Sequence, residues 1–151
     1  DVLVLADILE HTREPQMCLQ SLLRRHLQSG MRVIISLPNV APLYVRLSLL
    51  AGRFRYADRG ILDRTHLRFL TWQAGLALCH VCGIKVDEVG ATPVPLPLIH
   101  PLFGSRQPLA PLHALNAWLA SAFKTLLAYQ MIMYGTYTGD EYPNDAKSGQ
   151  D

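Results

Sequence analysis

Charge is scarce in this sequence. Asp, Glu, Lys and Arg make up 17% of its 151 residues and nearly cancel, leaving a formal net charge of +2. That balance supplies no basic footprint of the kind a nucleic-acid partner requires. Cysteine is scarcer still. Cys18, Cys79 and Cys82 are too few for a disulfide framework, which favours a reducing, cytoplasmic setting. No GxGxxG loop and no GxSxG elbow occurs anywhere, so dehydrogenase and hydrolase readings have no support. No signal peptide and no internal repeat is visible. The chain does not begin with Met, and Asp1 opens directly on an apolar strand. The expectation is a fragment whose N-terminal part is missing.

What is present begins at residues 1–11, DVLVLADILEH. The run from Val2 to Ala6 ends on Asp7, Glu10 and His11, as a strand buried on both faces of a parallel sheet would. Ligands bind past the carboxyl ends of such strands, so these three polar residues stand where a ligand would. Pro15 and Gly30 bracket a helix with Leu19, Leu22, Leu23 and Leu27 on one face. Burying four leucines contributes about 6 to 12 kcal/mol gross, reason enough for the pattern. His26 falls on that face and reads as a packed or edge histidine. A second strand, MRVIISL at residues 31–37, is broken by Pro38 and Asn39. Strand, helix and strand at this spacing make a right-handed βαβ unit, which brings Asn39 near residues 7–11. Asn39 is either a turn residue or a functional one.

A second helix is expected from Pro42 to about Ala51, with Leu43, Leu47 and Leu50 inward. Residues 52–71, GRFRYADRGILDRTHLRFLT, then carry five arginines among Phe54, Tyr56, His66 and Phe69. Length and charge read as a lid-like loop. It is either a solvated basic loop with anchoring aromatics or a surface for phosphate or nucleic acid. Thr71 caps a helix over residues 72–82, and residues 84–89 form a third strand. Cys79 and Cys82 make a CxxC at a helix C-terminus, where the dipole opposes a thiolate. No second Cys or His pair completes a zinc site, so they read as structural and no metal ligand is assigned. Residues 92–111 hold six prolines and read as an irregular excursion able to wall a pocket, with His100 at the surface. A helix over residues 112–127 presents Leu112, Leu115, Leu119, Ala122 and Leu126 as a core stripe. Lys124 near its middle costs about 2.5 to 3.5 kcal/mol in a bilayer, which argues against a membrane span. Residues 129–138 read as a last strand, and residues 139–151 as a flexible polar tail.

Three stretches in this order, ADILEH at residues 6–11, SLPN at 36–39 and GILDRTHLRFLT at 60–71, resemble the C-terminal half of class I S-adenosylmethionine-dependent methyltransferases. The similarity extends to about residue 138. It is greatest to a bacterial group with a D-R-T-H-x-R-F signature, often found beside sugar-transfer machinery. The resemblance implies an α/β fold: the last four strands of a Rossmann-like sheet, the final one antiparallel, with helices packed on it. The family's glycine-rich cofactor loop belongs to earlier strands and is absent, so residues 1–138 are expected to be part of a domain and inactive alone.

The implied reaction is methyl transfer from S-adenosylmethionine to a small-molecule or glycan-related acceptor. Such an in-line displacement needs alignment and water exclusion, and a base for oxygen or nitrogen acceptors. By the same resemblance, Asp7, Ile8 and Leu9 run beside the cofactor, and His11 and His66 are the catalytic base candidates. Asn39, Tyr44, Asp63, Arg64 and Arg68 are the substrate-side candidates, with Asp63 orienting His66 and Arg68 holding an anionic group on the acceptor. Glu10 reads as a structural partner. The rival for the loop residues is an internal salt-bridge and hydrogen-bond network that fixes the lid. The rivals for the whole chain are a non-catalytic interaction module and a nucleic-acid-binding module using the loop arginines.

Overall fold

In the computed structural model, which describes residues 2–100, 102, 104–105 and 107–139, four strands form one open sheet. They are β1 (Val2–Ala6), β2 (Arg32–Pro38), β3 (Ile84–Thr92) and β4 (Gln130–Tyr137), in the order β1-β2-β4-β3. β1 and β2 pair in parallel, from Val2 opposite Arg32 to Ala6 opposite Ser36. β4 runs antiparallel to both β2 and β3, so β1, β2 and β3 all point one way. The expected partial Rossmann-like sheet with an antiparallel last strand is thus the sheet observed. Pro38 pairs with Gln130, and Gln130 with Thr92. The carboxyl ends of the parallel strands and the start of β4 therefore share one edge.

One face of the sheet carries the core. Leu5, Val33, Ile35, Leu37, Met131, Met133 and Tyr137 pack there against Leu19 and Leu23 of α1 (Pro15–His26) and Trp72 and Cys79 of α3 (Trp72–Val81). Leu19 and Leu23 are fully buried, with Leu22 and Leu27 packed at the margin. The Thr71 hydroxyl accepts from the Ala74 N–H at 3.2 Å, the cap its side chain was expected to provide. Gly135 of β4 lies where an added Cβ would come within 2.7 Å of the Lys85 carbonyl oxygen, so β3 and β4 close only over a residue without a side chain.

The other face corrects several expectations. β1 is not buried on both sides: Val2 and Val4 are each 56% exposed, because no described element covers the face they share. The stripe read on α2 (Leu43–Leu50) also points outward. Leu47 and Leu50 are exposed, and Val45 is the buried residue. Arg46 fixes that orientation, donating to the carbonyls of Ala41 at 2.6 Å and Thr125 at 3.2 Å. His26 is exposed rather than packed.

The single helix read over 112–127 is two, α5 (Ala110–Ala122) and α6 (Lys124–Leu127), broken at Phe123. Leu112 and Leu115 face outward, and Ala120 is buried instead. Polar bonds set this rotation. Asn116 donates to the Val94 carbonyl and the Lys124 ammonium to the Val89 carbonyl, each at 2.8 Å. No helix among the described residues is long and apolar enough to cross a membrane. The proline-rich stretch is less irregular than expected: β3 extends to Thr92, a single turn forms α4 (Leu96–Ile99), and α5 begins at Ala110. The tail reading from residue 140 onward lies outside the described residues.

Cys79 and Cys82 are free and buried, with the Cys79 thiol 3.5 Å from the Met133 sulfur. Burial, reinforced by Cys82, pushes the Cys79 thiol from near 9 up to about 12. The folded state favours the neutral thiol. The stability this confers is therefore complete below about pH 9 and is lost as pH rises from there toward 12, by up to about 1.4 kcal/mol per pH unit. Cys79→Ala is expected to lower stability at neutral pH through the vacated volume, and to decline less steeply on alkalinisation. Urea melts at neutral pH and near pH 10 read both, and an unchanged alkaline slope would show that the thiol does not set it.

Candidate functional site

At the shared sheet edge the chain leaves β1 through Asp7, whose φ of 51° lies in the left-handed region that Asp tolerates better than most residues. The Ser36 hydroxyl donates to Asp7 Oδ1 at 2.9 Å, and the Asp7 N–H donates to Ser36 Oγ at 3.1 Å. The Gln130 amide also donates to Asp7 Oδ1. Three strand ends are thus tied at one carboxylate. Ser36 and Gln130 were given no role from the sequence. Ser36 was findable, since the in-register pairing of Ala6 with Ser36 puts it beside Asp7. Gln130 was not, because it comes from an antiparallel strand remote in the chain.

A single 3₁₀ turn, Leu9–His11, follows. Ile8 is 43% exposed and Leu9 is fully buried, so of the three cofactor-side candidates Asp7 and Ile8 present surface at this edge. The Glu10 carbonyl accepts two N–H groups of the arginine-rich loop, Leu67 at 2.8 Å and Arg68 at 3.0 Å. The loop therefore crosses the strand ends, as a lid would. A second clasp joins the Val40 N–H to the Leu70 carbonyl at 2.9 Å.

This crossing brings His11 and His66 together, with ring centroids 4.9 Å apart in an edge-on arrangement. His11 Nδ1 lies 3.1 Å from the Thr65 carbonyl oxygen and His66 Nδ1 lies 3.0 Å from that of Ile61. A carbonyl can only accept, so each Nδ1 is the donor and each neutral ring keeps its lone pair on Nε2. Beside them the Glu10 side chain is 1% exposed. Burial holds its carboxyl above the usual range and Asp7 adds to this, while its own backbone N–H and the two imidazoles oppose it.

The substrate-side candidates divide. Tyr44 borders a cavity of about 1220 Å³ with Arg55, Arg59, Asn116, Tyr129 and Gln130, and residues 92–97 form one wall of it. Burial beside Tyr129 pushes the Tyr44 phenol up to about 12, which removes it as a base near neutrality. Asn39 is fully buried, donating to the Ala128 carbonyl at 3.0 Å and accepting from the Ala41 N–H at 3.1 Å, so it faces no cavity. The Asp63 carboxylate does not bond the His66 ring, although the His66 N–H donates to the Asp63 carbonyl at 3.1 Å. Its Oδ1 accepts from the Thr65 hydroxyl at 2.7 Å and the Thr65 N–H at 2.8 Å, and these bonds hold its carboxyl below the usual range. Arg64 pairs with Asp58 at 2.9 Å, both exposed, and borders a smaller cavity of about 520 Å³ with Tyr56, His66, Leu67 and Phe69. Arg68 is turned away to the Arg13 carbonyl and Glu14. Asp63 and Arg64 thus bond within the loop, and Arg68 ties it to the start of α1.

Residues 1–93 match the family described as methionine biosynthesis protein MetW. The chain belongs to the MetW family. Among solved structures, this MetW-family chain is similar to a SAM-dependent methyltransferase from Archaeoglobus fulgidus, with a TM-score of 0.50 and 13% identity over 90% of the chain. The chain spans 58% of the length of that protein. No curated protein matches it. Family and fold together bear out the class I methyltransferase architecture.

Asn39→Ala tests the structural role of that amide in the MetW-family chain. Removing it strands the Ala128 carbonyl and the Ala41 N–H, each costing about 1 to 3 kcal/mol when buried and unpaired. A loss of about 2 to 4 kcal/mol in urea unfolding is expected. An unchanged midpoint would show that those groups find other partners.

Proposed function

We propose that residues 1–138 are the later part of a S-adenosylmethionine-dependent methyltransferase domain, carrying the acceptor side of the site and the edge against which the methionine end of the cofactor lies. The observation that carries this reading is the cavity of about 1220 Å³ outside the carboxyl ends of the parallel strands. That is where open α/β sheets bind their ligands. MetW-family membership and the methyltransferase fold supply the reaction class. The chain holds no glycine-rich loop, and the fraction of the archaeal protein it spans is in keeping with a part of the domain.

In this reading Asp7 and Ile8 border the cofactor and Tyr44 and Gln130 border the acceptor. The lid loop excludes water, and an Nε2 of His11 or His66 that holds no cation is the base for an oxygen or nitrogen acceptor; His66 borders the smaller cavity and neither histidine the larger one. A cavity walled by Tyr44, Tyr129 and residues 93–97, with Arg55 and Arg59 at its border, suits an acceptor with an apolar body and an anionic group. The family's name links the reaction to methionine biosynthesis, so a small metabolite acceptor ranks beside a glycan-related one. The basic-loop reading of a nucleic-acid module is weakened, because Arg64 and Arg68 are held by Asp58 and Glu14.

Calorimetric titration of the complete natural polypeptide with S-adenosylhomocysteine tests the proposal. One site is expected. Asp7→Ala should weaken it at least about tenfold, the loss of about 1.4 kcal/mol. Tyr44→Ala, on the acceptor side, should leave it unchanged. Absence of binding, or binding indifferent to Asp7, would remove this reading.

A further inference from the structure

We propose that Glu10, His11 and His66 form a binding site for one divalent transition-metal ion. One ligand atom from each of the three lies within 4.8 Å of the others. Ligands around an ion at about 2.0 to 2.2 Å stand about 3 to 4 Å apart, so closure needs a shift of about 1 Å. His11 is exposed and has room to supply it.

Two further observations point to a cation. The first is the state of the imidazoles. Each Nδ1 is spent on a backbone carbonyl, Thr65 for His11 and Ile61 for His66, which leaves Nε2 with its lone pair. Metal-binding histidines characteristically donate their other nitrogen to a carbonyl or carboxylate in this way. The second is Glu10 Oε2. It belongs to a side chain 1% exposed and has no hydrogen-bond partner among the described residues. Such an atom is costly to bury unless something positive meets it. The loop arginines nearest in sequence do not: Arg64 reaches Asp58 and Arg68 reaches Glu14.

The donor set chooses the ion. Two imidazole nitrogens and one carboxylate oxygen suit zinc, cobalt, iron or manganese, and are poor for calcium, which takes oxygen ligands. Three protein ligands leave positions open for water or for an oxygen of a bound molecule. His66 also borders the smaller cavity, so that molecule would enter from there. Close sequence spacing does not mark this site, because His66 arrives from a loop far along the chain.

Metal binding is measured without cofactor or acceptor, so its failure and that of the methyl-transfer reading are separable. Metal-free chain is titrated with Zn²⁺ by calorimetry and with Co²⁺ by visible absorption. One equivalent is expected, with cobalt bands of a nitrogen and oxygen site and no thiolate charge-transfer band. His11→Ala, at an exposed position that leaves the fold intact, and His66→Ala should each weaken binding at least about tenfold. His26→Ala, an exposed histidine outside the cluster, should not change it. No bound ion, affinity unchanged from the parent chain in His11→Ala or His66→Ala, or a thiolate band placing the ion on cysteine would overturn the proposal.

Discussion

Two hydrogen bonds to one carbonyl hold the site together. The Glu10 carbonyl receives the N–H groups of Leu67 and Arg68, and without them a loop of some twenty residues would have no fixed course over the sheet edge. A loop of that length closes at an entropic cost that rises slowly with length, so a few well-placed bonds suffice to order it. The acceptor lies in the turn that leaves β1, and the donors flank His66 on its C-terminal side. Fixing the loop therefore fixes the distance between His66 and His11. Asp63, through Thr65, and Arg68, through the Arg13 carbonyl, brace the same segment. Of the side chains in the D-R-T-H-x-R-F signature, His66 meets His11, and Asp63, Thr65 and Arg68 bond the segment that carries it.

That division explains what was legible in the sequence. The strands, the Thr71 cap and the antiparallel last strand follow from local pattern and from the resemblance, and the structure has all of them. The approach of His11 to His66 was readable only as both lying near one pocket, because parallel strands put residues 7–11 and Asn39 at one edge. The fine assignments were not readable. Asn39 and Arg68 carry polar groups that fit a substrate as well as a backbone carbonyl, and spacing does not choose between them. Ser36 and Gln130 joined the site through register, a property of paired strands rather than of either one. The burial of Glu10 is not legible either, because a glutamate beside a histidine in a short turn carries no sign of it.

The outward leucines have a different origin. Helical periodicity identifies a stripe, not the direction in which it faces. In α2 the direction is set by Arg46, whose bonds to Ala41 and Thr125 place Val45 inward and leave Leu47 and Leu50 exposed. In α5 it is set by Asn116 against the Val94 carbonyl, which rotates Leu112, Leu115 and Trp118 outward. In both helices a polar bond to a backbone carbonyl accompanies the outward stripe, and a half-exposed leucine forfeits only part of its burial energy.

The two cavities share no lining residue, but a hydrogen bond joins a residue of one to a residue of the other. Ile61 borders the larger cavity, and its carbonyl holds His66 Nδ1. Gln130 borders the same cavity, and its amide holds Asp7. Tyr129 lies between them, its hydroxyl 2.9 Å from the point where a Cβ on Gly60 would sit. Gly60 takes a φ of 93°, so the chain turns there into the 61–66 segment on a residue that accepts that conformation without strain. An occupant of the larger cavity would press on Ile61 and Gln130, the residues that aim His66 and Asp7. The larger cavity and the histidine pair are therefore connected features. Filling one constrains the geometry of the other, with backbone carbonyls and a single amide as the connection.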